Sequence, residues 1–347
     1  IELAPVRHVK LRGTYQRAAR AANIVELFTP AGISLYDNDE DPCAGTSPSA
    51  SLTQCARTGV TAAQYGRIVD SPAGQYNQKT GGNANLNPEE ADSYTLGLVL
   101  EPMRNLSFTI DAFSIDVKDV ISNVPATTSL SKCLETGDPQ FCSLIHRDDI
   151  GTLWAKEAAF IDANNQNLAT RKTTGLDLGA SYGYKMAGIG NLGFSILGTY
   201  LRSFETQEPP GDTTYDCKGV YGPTCGTPLP EWRHKARITW TSPWAFEAAF
   251  TWRHIDSVDL DRTSKAPQLT GNVFPVDRTL GARDYLDLSG SWTLTKNLTL
   301  SGGVNNLLDK DPPISAQVGS GFGNGNTYPQ VYDANGRKLF VGLTAKF

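Results

Sequence analysis

Six cysteines stand in three local pairs: Cys43 with Cys55, Cys133 with Cys142, and Cys217 with Cys225. Paired thiols can close disulfides or, as thiolates, hold a metal. No C-x2-C spacing occurs, so zinc ligation is the weaker reading. Each pair shares one loop-like stretch, and neighbours are expected to bridge. Each bridge contributes about 3 kcal/mol by restricting the unfolded chain and implies an oxidising compartment. Hydrolysis would need a nucleophile, a base and an orienting carboxylate within mutual reach. His146, Asp148, Asp149, His254 and Asp256 are what such a site would use, but the 4 histidines are scattered and suit ordinary surface positions. No catalytic residue, metal or cofactor is expected. Cys142-x3-His146 has a ligand-like spacing that a disulfide at Cys142 absorbs. Glu89 and Glu90 are adjacent carboxylates at a strand start, where a solvated rim is expected. GSGFGNGN (319–326) does not read G-x-G-x-x-G and reads as a flexible loop. Asn105-Leu-Ser and Asn297-Leu-Thr match the glycosylation pattern but fall in tight turns.

The elements that would position these residues are strands. At the end of the chain Leu339, Val341, Leu343, Ala345 and Phe347 are apolar at every second position. The same alternation runs through Val9–Tyr15, Tyr94–Leu100, Leu106–Val117, Leu176–Tyr184, Leu192–Tyr200, Ala236–Trp240, Phe246–Trp252, Leu286–Leu294 and Leu298–Val304. Period two over such lengths is a strong strand signal, and ten strands are expected. In 105–121 the apolar phase changes near Ala112, which predicts a bulge or a strand leaving its apolar environment. Short turns (102–105, 186–190, 242–243, 295–297) alternate with long connections (18–91, 122–173, 203–231, 256–284, 309–336). The result is five hairpins with every long loop at one end. Loops of that length are uncommon in compact domains and are usually functional or disordered.

The 347 residues are 39% hydrophobic and 19% charged, with net charge −5 and no basic block. That argues against nucleic acid as a partner. No apolar run reaches the length of a transmembrane helix. The start, IELAPVRHVKLRG, is not a signal peptide, so either a signal was removed or the chain is part of something longer. A soluble sandwich would hide one face of each strand; a transmembrane barrel would turn that face to lipid. Small polar residues on the other face, aromatics near strand ends and the loop asymmetry favour the all-β antiparallel transmembrane barrel. Lipid demands closure, so the ten strands either close alone or belong to a wider barrel.

Four stretches carry a family resemblance. LRGTYQRAARAANIVELF (11–28) resembles the Arg-Ala-Pro-Asn and Glu-Leu-Phe segment of TonB-dependent outer-membrane receptors through Arg20, Ala21, Asn23, Glu26, Leu27 and Phe28, with Ala22 for proline. GGNANLNPEEADSYTLGL (81–98) resembles the family's Pro-Glu segment through Gly82, Asn83, Leu86, Pro88, Glu89 and Gly97, with Ala84 for proline. GGVNNLLDKDPP (302–313) matches through Asn306, Leu307 and Asp309, with Leu308 for phenylalanine, and GRKLFVGLTAKF (336–347) resembles the terminal strand. The resemblance implies that residues 1–347 are the C-terminal portion, the last ten strands, of a plugged barrel of about 22 strands, with the plug outside this chain. It implies active uptake of a scarce or bulky nutrient, a glycan or other organic compound or a ferric siderophore, across the Gram-negative outer membrane. The partners it implies are the TonB complex, outer-membrane lipid, the substrate, and the barrel-assembly machinery reading Phe347. Lys10, Arg12, Arg17 and Arg20 are candidates to line the lumen or meet plug carboxylates. Tyr36, Tyr65, Tyr76, Trp154, Tyr215, Tyr221, Phe322 and Tyr328 are candidate substrate contacts in extracellular loops. The plainer reading is that these aromatics pack the loops on each other. Sparse loop Lys and Arg lean the substrate towards neutral organic compounds. A passive porin and a ten-stranded surface hydrolase are the alternatives.

Overall fold

The computed structural model describes residues 1–208, 213–318 and 325–346. Its main sheet is an antiparallel path in chain order: β1 (Glu2–Val6), β2 (Val9–Arg20), β3 (Glu89–Met103), β4 (Leu106–Asn123), β5 (Asn165–Met186), β6 (Gly190–Gln207), β7 (Trp232–Thr241), β8 (Phe246–Ile255), β9 (Arg283–Thr295), β10 (Leu298–Asn305) and β11 (Lys338–Ala345). A short strand, Tyr215–Asp216, pairs with β6 beside the path. The ten expected strands are β2 to β11. β1, which lacks the alternation over a useful length, is additional and pairs only with the lower part of β2. Among the described residues no ladder joins β1 to β11, so the path is open.

The register carries the alternation across the sheet. One row runs Val9–Leu100–Phe108–Ala180–Ile196–Ala236–Trp252–Leu286. On the opposite face a row runs Lys10–Val99–Thr109–Gly179–Leu197–Lys235–Arg253–Tyr285. Many large side chains of the apolar face are open to the surroundings, Leu96, Leu288, Trp292 and Val341 among them. A soluble sandwich would have covered them.

The phase change near Ala112 is not a bulge, because β3 and β4 stay in register from Glu90–Lys118 to Leu100–Phe108. The strand leaves its apolar environment instead. Beyond Ala112 the apolar face turns charged along the row Arg17–Asp92–Asp116–Lys172–Glu205, and Phe113, Ile115 and Val117 move to the other face. The irregularity comes later, between Val117 and Ile121, where Asp119 takes φ 54°.

The long connections are built rather than open. Connections 21–88 and 124–164 share a four-stranded sheet in the order Gly32–Asp37, Gln75–Thr80, Phe160–Asp162, Ile145–His146. The helix Ala126–Thr136 packs Leu130, Cys133 and Leu134 into the same core as Cys55, Tyr76, Phe141 and Ile161. It stops at Gly137, whose φ of 70° suits glycine and whose N–H reaches Cys133 O at 2.9 Å. Connections 208–231 and 256–282 build a smaller sheet, Val220–Tyr221, Val258–Leu260 and Thr279–Leu280, and connection 306–337 adds Tyr328 and Tyr332 to its core of Tyr221, Leu260 and Leu280.

Candidate substrate entrance

The disulfides join neighbours: Cys43–Cys55, Cys133–Cys142 and Cys217–Cys225. The first two lie within the first loop unit, and the third closes a turn beside Tyr215 and Leu269. A buried ion pair joins the two connections of the first unit. Arg147 donates to Asp41 at 2.5 and 3.0 Å, to Thr58 Oγ1 at 2.9 Å and to Gly151 O at 2.8 Å. Both charged side chains are 2% exposed. Nothing in the spacing of Asp41 and Arg147 announced this contact.

The helix Ala126–Thr136 stands between two hollows. One, of about 490 Å³, lies between it and the 38–54 stretch and is edged by Asn38, Gln54, Thr127, Ser131 and Glu135. The other, of about 260 Å³, lies where the two loop units meet; Asn123, Thr128, Glu208, Tyr215, Thr224 and Gln268 line it. Gln268 is tied down by its amide Nε2, which donates to Thr213 O at 2.9 Å, while its Oε1 is buried without a partner. Burial pushes the Tyr215 hydroxyl up to about 12, so it stays a neutral donor. No periodic or motif signal marks these residues.

The proposed ring platforms stand elsewhere. Tyr76, Tyr221 and Tyr328 are buried in the loop cores, and Tyr36, Tyr65 and Trp154 pack on the first core from its edge. Tyr65 donates to Ala50 O at 2.8 Å and Trp154 Nε1 to Val69 O at 3.1 Å, which fixes both rings as staples. Of the described rings, Tyr215, 6% exposed, borders one of the two hollows above. The burial of these rings has a simple cause: long polar loops need a core, and aromatics supply the most apolar area per residue. Phe322 and Phe347 lie outside the described residues.

The four basic candidates of β2 divide between the faces. Lys10 and Arg12 are on the polar face, Lys10 at 3.8 Å from Glu2. Arg12 grips Asp111 with two bonds of 2.7 and 2.6 Å across Gly97. Arg17 is on the other face, with Tyr15, and pairs with Glu90 and Asp92. Arg20 bridges Glu89 at 2.6 Å and Glu26 at 3.0 Å. Glu89 is therefore no solvated rim: it also accepts the Ile121 N–H at 2.9 Å. Asn23 and Glu26 cap the helix Ile24–Phe28 reciprocally, and Arg20 with the Asn23 N–H holds the Glu26 carboxyl below its usual range. Three further polar-face cations, Arg233, Lys235 and Arg237, follow on β7 and make no ion pair among the described residues, as is also true of Lys185 on β5 and Arg283 on β9. Beside Lys235 and Arg237, Ser107, Ser181 and Ser195 help line a hollow of about 300 Å³.

The hydrolase candidates are not brought together as a set. Asp148 accepts from the Thr152 N–H and hydroxyl, Asp149 pairs with Lys156, and His146 stacks on Phe160, all within the first loop unit. His254 is on β8, beside Asp284 at 2.8 Å and stacked on His234. Among the described residues no group of three or more His, Cys, Asp or Glu is arranged to hold a metal.

The sequence family described as TonB dependent receptor-like, β-barrel, matches residues 3–307. The chain belongs to that family. No curated protein matches it in sequence. Solved TonB-dependent receptors share its fold. The ferric enterobactin receptor of Pseudomonas aeruginosa, as a mutant, superposes with TM-score 0.59 at 17% identity over 100% of this chain and 39% of its own. A second mutant of it, with enterobactin bound, gives 0.60 at 18% over 100% and 40%. The siderophore receptor PirA of Acinetobacter baumannii gives 0.56 at 13% over 100% and 40%. The chain thus spans about two fifths of these receptors. In a TonB-dependent receptor barrel the apolar row becomes the outer surface and the Lys10–Tyr285 row the inner one.

Proposed function

We propose that this chain is the C-terminal part of the barrel of an outer-membrane receptor that takes up a scarce or bulky nutrient, with energy supplied through the TonB complex. The family match over residues 3–307 carries the reading. The open sheet and the two-fifths coverage of solved receptors support a wider native barrel. In that reading the apolar face meets outer-membrane lipid, the built loops face the extracellular medium of a Gram-negative cell, and a plug fills the polar face. The C-terminal residues, Phe347 among them, are the part the barrel-assembly machinery would recognise. No bond is made or broken in such uptake; the residues bind, orient and release. The organic compound or ferric chelate carried is set by the loop hollows.

The test is uptake in cells that carry the intact receptor, with and without TonB. Culture-medium extract is offered, and solute accumulation is compared by mass spectrometry. A solute that enters only with both receptor and TonB is expected. Receptor-dependent entry unaffected by loss of TonB would point to a passive pore. The intact mass of the mature protein from outer membranes is expected at roughly twice the mass of this chain or more, as a plugged 22-stranded barrel requires; a mass of 37.5 kDa would mean a self-closing ten- or eleven-stranded barrel.

A further inference from the structure

We infer that the helix Ile24–Phe28 is a docking surface for the plug, an apolar latch at the loop end of the inner wall. This rests on the uptake reading and assigns one contact within it. A helix of 5 residues does not hold itself together in water, and this one is fixed by its neighbours. Asn23 and Glu26 cap it reciprocally. Arg20 bonds Glu26 at 3.0 Å and Glu89 at 2.6 Å. The Asn83 N–H donates to Glu26 O at 2.9 Å, and the Gly82 N–H to Thr29 O at 2.8 Å. A Cβ on Gly82 would stand 2.6 Å from the Leu27 carbonyl carbon, so the helix backbone lies directly on that glycine. The Asn83 amide in turn donates to Asn165 O at 2.9 Å, where β5 begins.

What this scaffold presents is apolar and bare. Ile24, Val25 and Phe28 are 78%, 70% and 65% exposed, and positions so spaced fall on one side of a helix. Single exposed apolar residues are ordinary; three together on one anchored face mark a contact surface. Arg20 lies on the same face of β2 as Lys10 and Arg12, with Glu89 opposite it on β3. The helix carboxylate is therefore held from the polar face, and the helix stands on that side of the wall, away from the lipid that meets Leu96 and Leu288. The chain spans 39% of one solved receptor and 40% of another, and in the uptake reading the part outside it includes the plug that fills the polar face. That plug is the body able to reach an inner-wall helix. Charge agrees: Glu26, the one charged side chain of the helix, is turned back onto Arg20, so the exposed side is uncharged and suits aliphatic and aromatic partners.

The experiment is hydroxyl-radical footprinting of the intact wild-type receptor in detergent, read by mass spectrometry. Phe28 is compared with Phe274 of connection 256–282, which is 63% exposed in this chain. Phe28 is expected to oxidise at least tenfold more slowly than Phe274. Equal rates would mean that the helix faces water and would overturn the inference. A benzophenone-bearing phenylalanine in place of Phe28 then identifies the cover by photo-cross-linking. Cross-links to the plug are expected; cross-links only to detergent, to other loops or to barrel strands overturn the inference and leave uptake standing. Phe28→Ser, shown folded by its disulfide content and melting temperature, should speed amide exchange in a plug segment at least tenfold and leave β2 and β3 unchanged. No change anywhere in the plug counts against the latch. A mature protein of 37.5 kDa has no room for a plug and would sink the uptake reading together with this contact.

Discussion

At the residue scale, two ion pairs differ in what surrounds them. Arg12 lies flat across Gly97 to reach Asp111; a Cβ on Gly97 would sit 2.0 Å from Asp111 Oδ1 and 2.9 Å from Arg12 Cγ. The glycine is thus the floor under the pair. Gly97→Ala is expected to break the bidentate contact and cost about 1–3 kcal/mol, as lost polar networks do. Arg12→Ala in the same background should add little, because both changes remove one interaction. Melting of the purified barrel checks this, and fully additive losses would contradict the shared origin. The Arg147–Asp41 pair is different because water does not reach it. Arg147→Ala strands a buried carboxylate and should cost about 3–5 kcal/mol, whereas replacing both partners by apolar residues should recover much of it. The damage is expected as protease cuts in 38–70 and 138–160 with the wall strands intact.

At the element scale, the wall and the loop units obey different rules, and only the first was legible in the sequence. Period-two alternation is local, so Leu11, Leu98, Ile110 and Leu178 each announce a face before any pairing is known. The ladder then places them in one row. The loop cores join side chains as distant as Asp41 and Arg147, 106 positions apart, with no period to betray them. A tyrosine in a polar loop reads the same whether it is a platform or a core residue, so the burial of Tyr76, Tyr221 and Tyr328 does not show in the sequence. The cysteine pairs were legible because each closes within one short stretch. The motif residues Asn23, Glu26, Glu89 and Asn306 were legible as a family pattern but not as chemistry. The structure shows them capping a helix, stapling β2 to β3, and closing the turn after β10, where Asn306 at φ 54° bonds both ways to Lys310. The tyrosine cores carry a pH prediction. Burial raises Tyr36, Tyr76, Tyr215, Tyr328 and Tyr332 above the unfolded value of about 10. Above that pH the unfolded loops release protons that the folded loops retain, so loop stability is full below about 10 and falls as pH rises towards the folded values. Ultraviolet titration should show a slow phenolate fraction appearing with loop proteolysis; immediate ionisation of every tyrosine near 10 would contradict it. Reduction of the three disulfides should shift the onset to lower pH, since each bridge contributes about 3 kcal/mol.

At the scale of the whole molecule, charge is segregated: acidic loops stand over a basic wall. The first-strand cations suggested by the sequence do not provide the wall's free charge, because Arg12, Arg17 and Arg20 are held by Asp111, Glu90 and Glu89. A run of cations without an ion pair among the described residues stands on β7, where Arg233, Lys235 and Arg237 follow at alternate positions on the polar face. Lys235 and Arg237 edge a hollow floored by the row Ser107–Ser181–Ser195, of which Ser107 and Ser181 bond at 3.2 Å. Cations enclosed in a filled barrel need anionic partners, since an unpaired charge away from water is costly. On the proposal that a plug fills the barrel, that plug is expected to bring carboxylates to β7 rather than to β2. Amine acylation of the intact receptor, read by mass spectrometry, measures this at Lys235 against Lys156, whose side chain is 49% exposed in the first loop unit. Strong protection of Lys235, lost when the plug is deleted, is the expected result. Equal labelling of the two lysines in the intact receptor would mean that the β7 cations face water, and the basic wall would then be a conduit surface instead of a docking one.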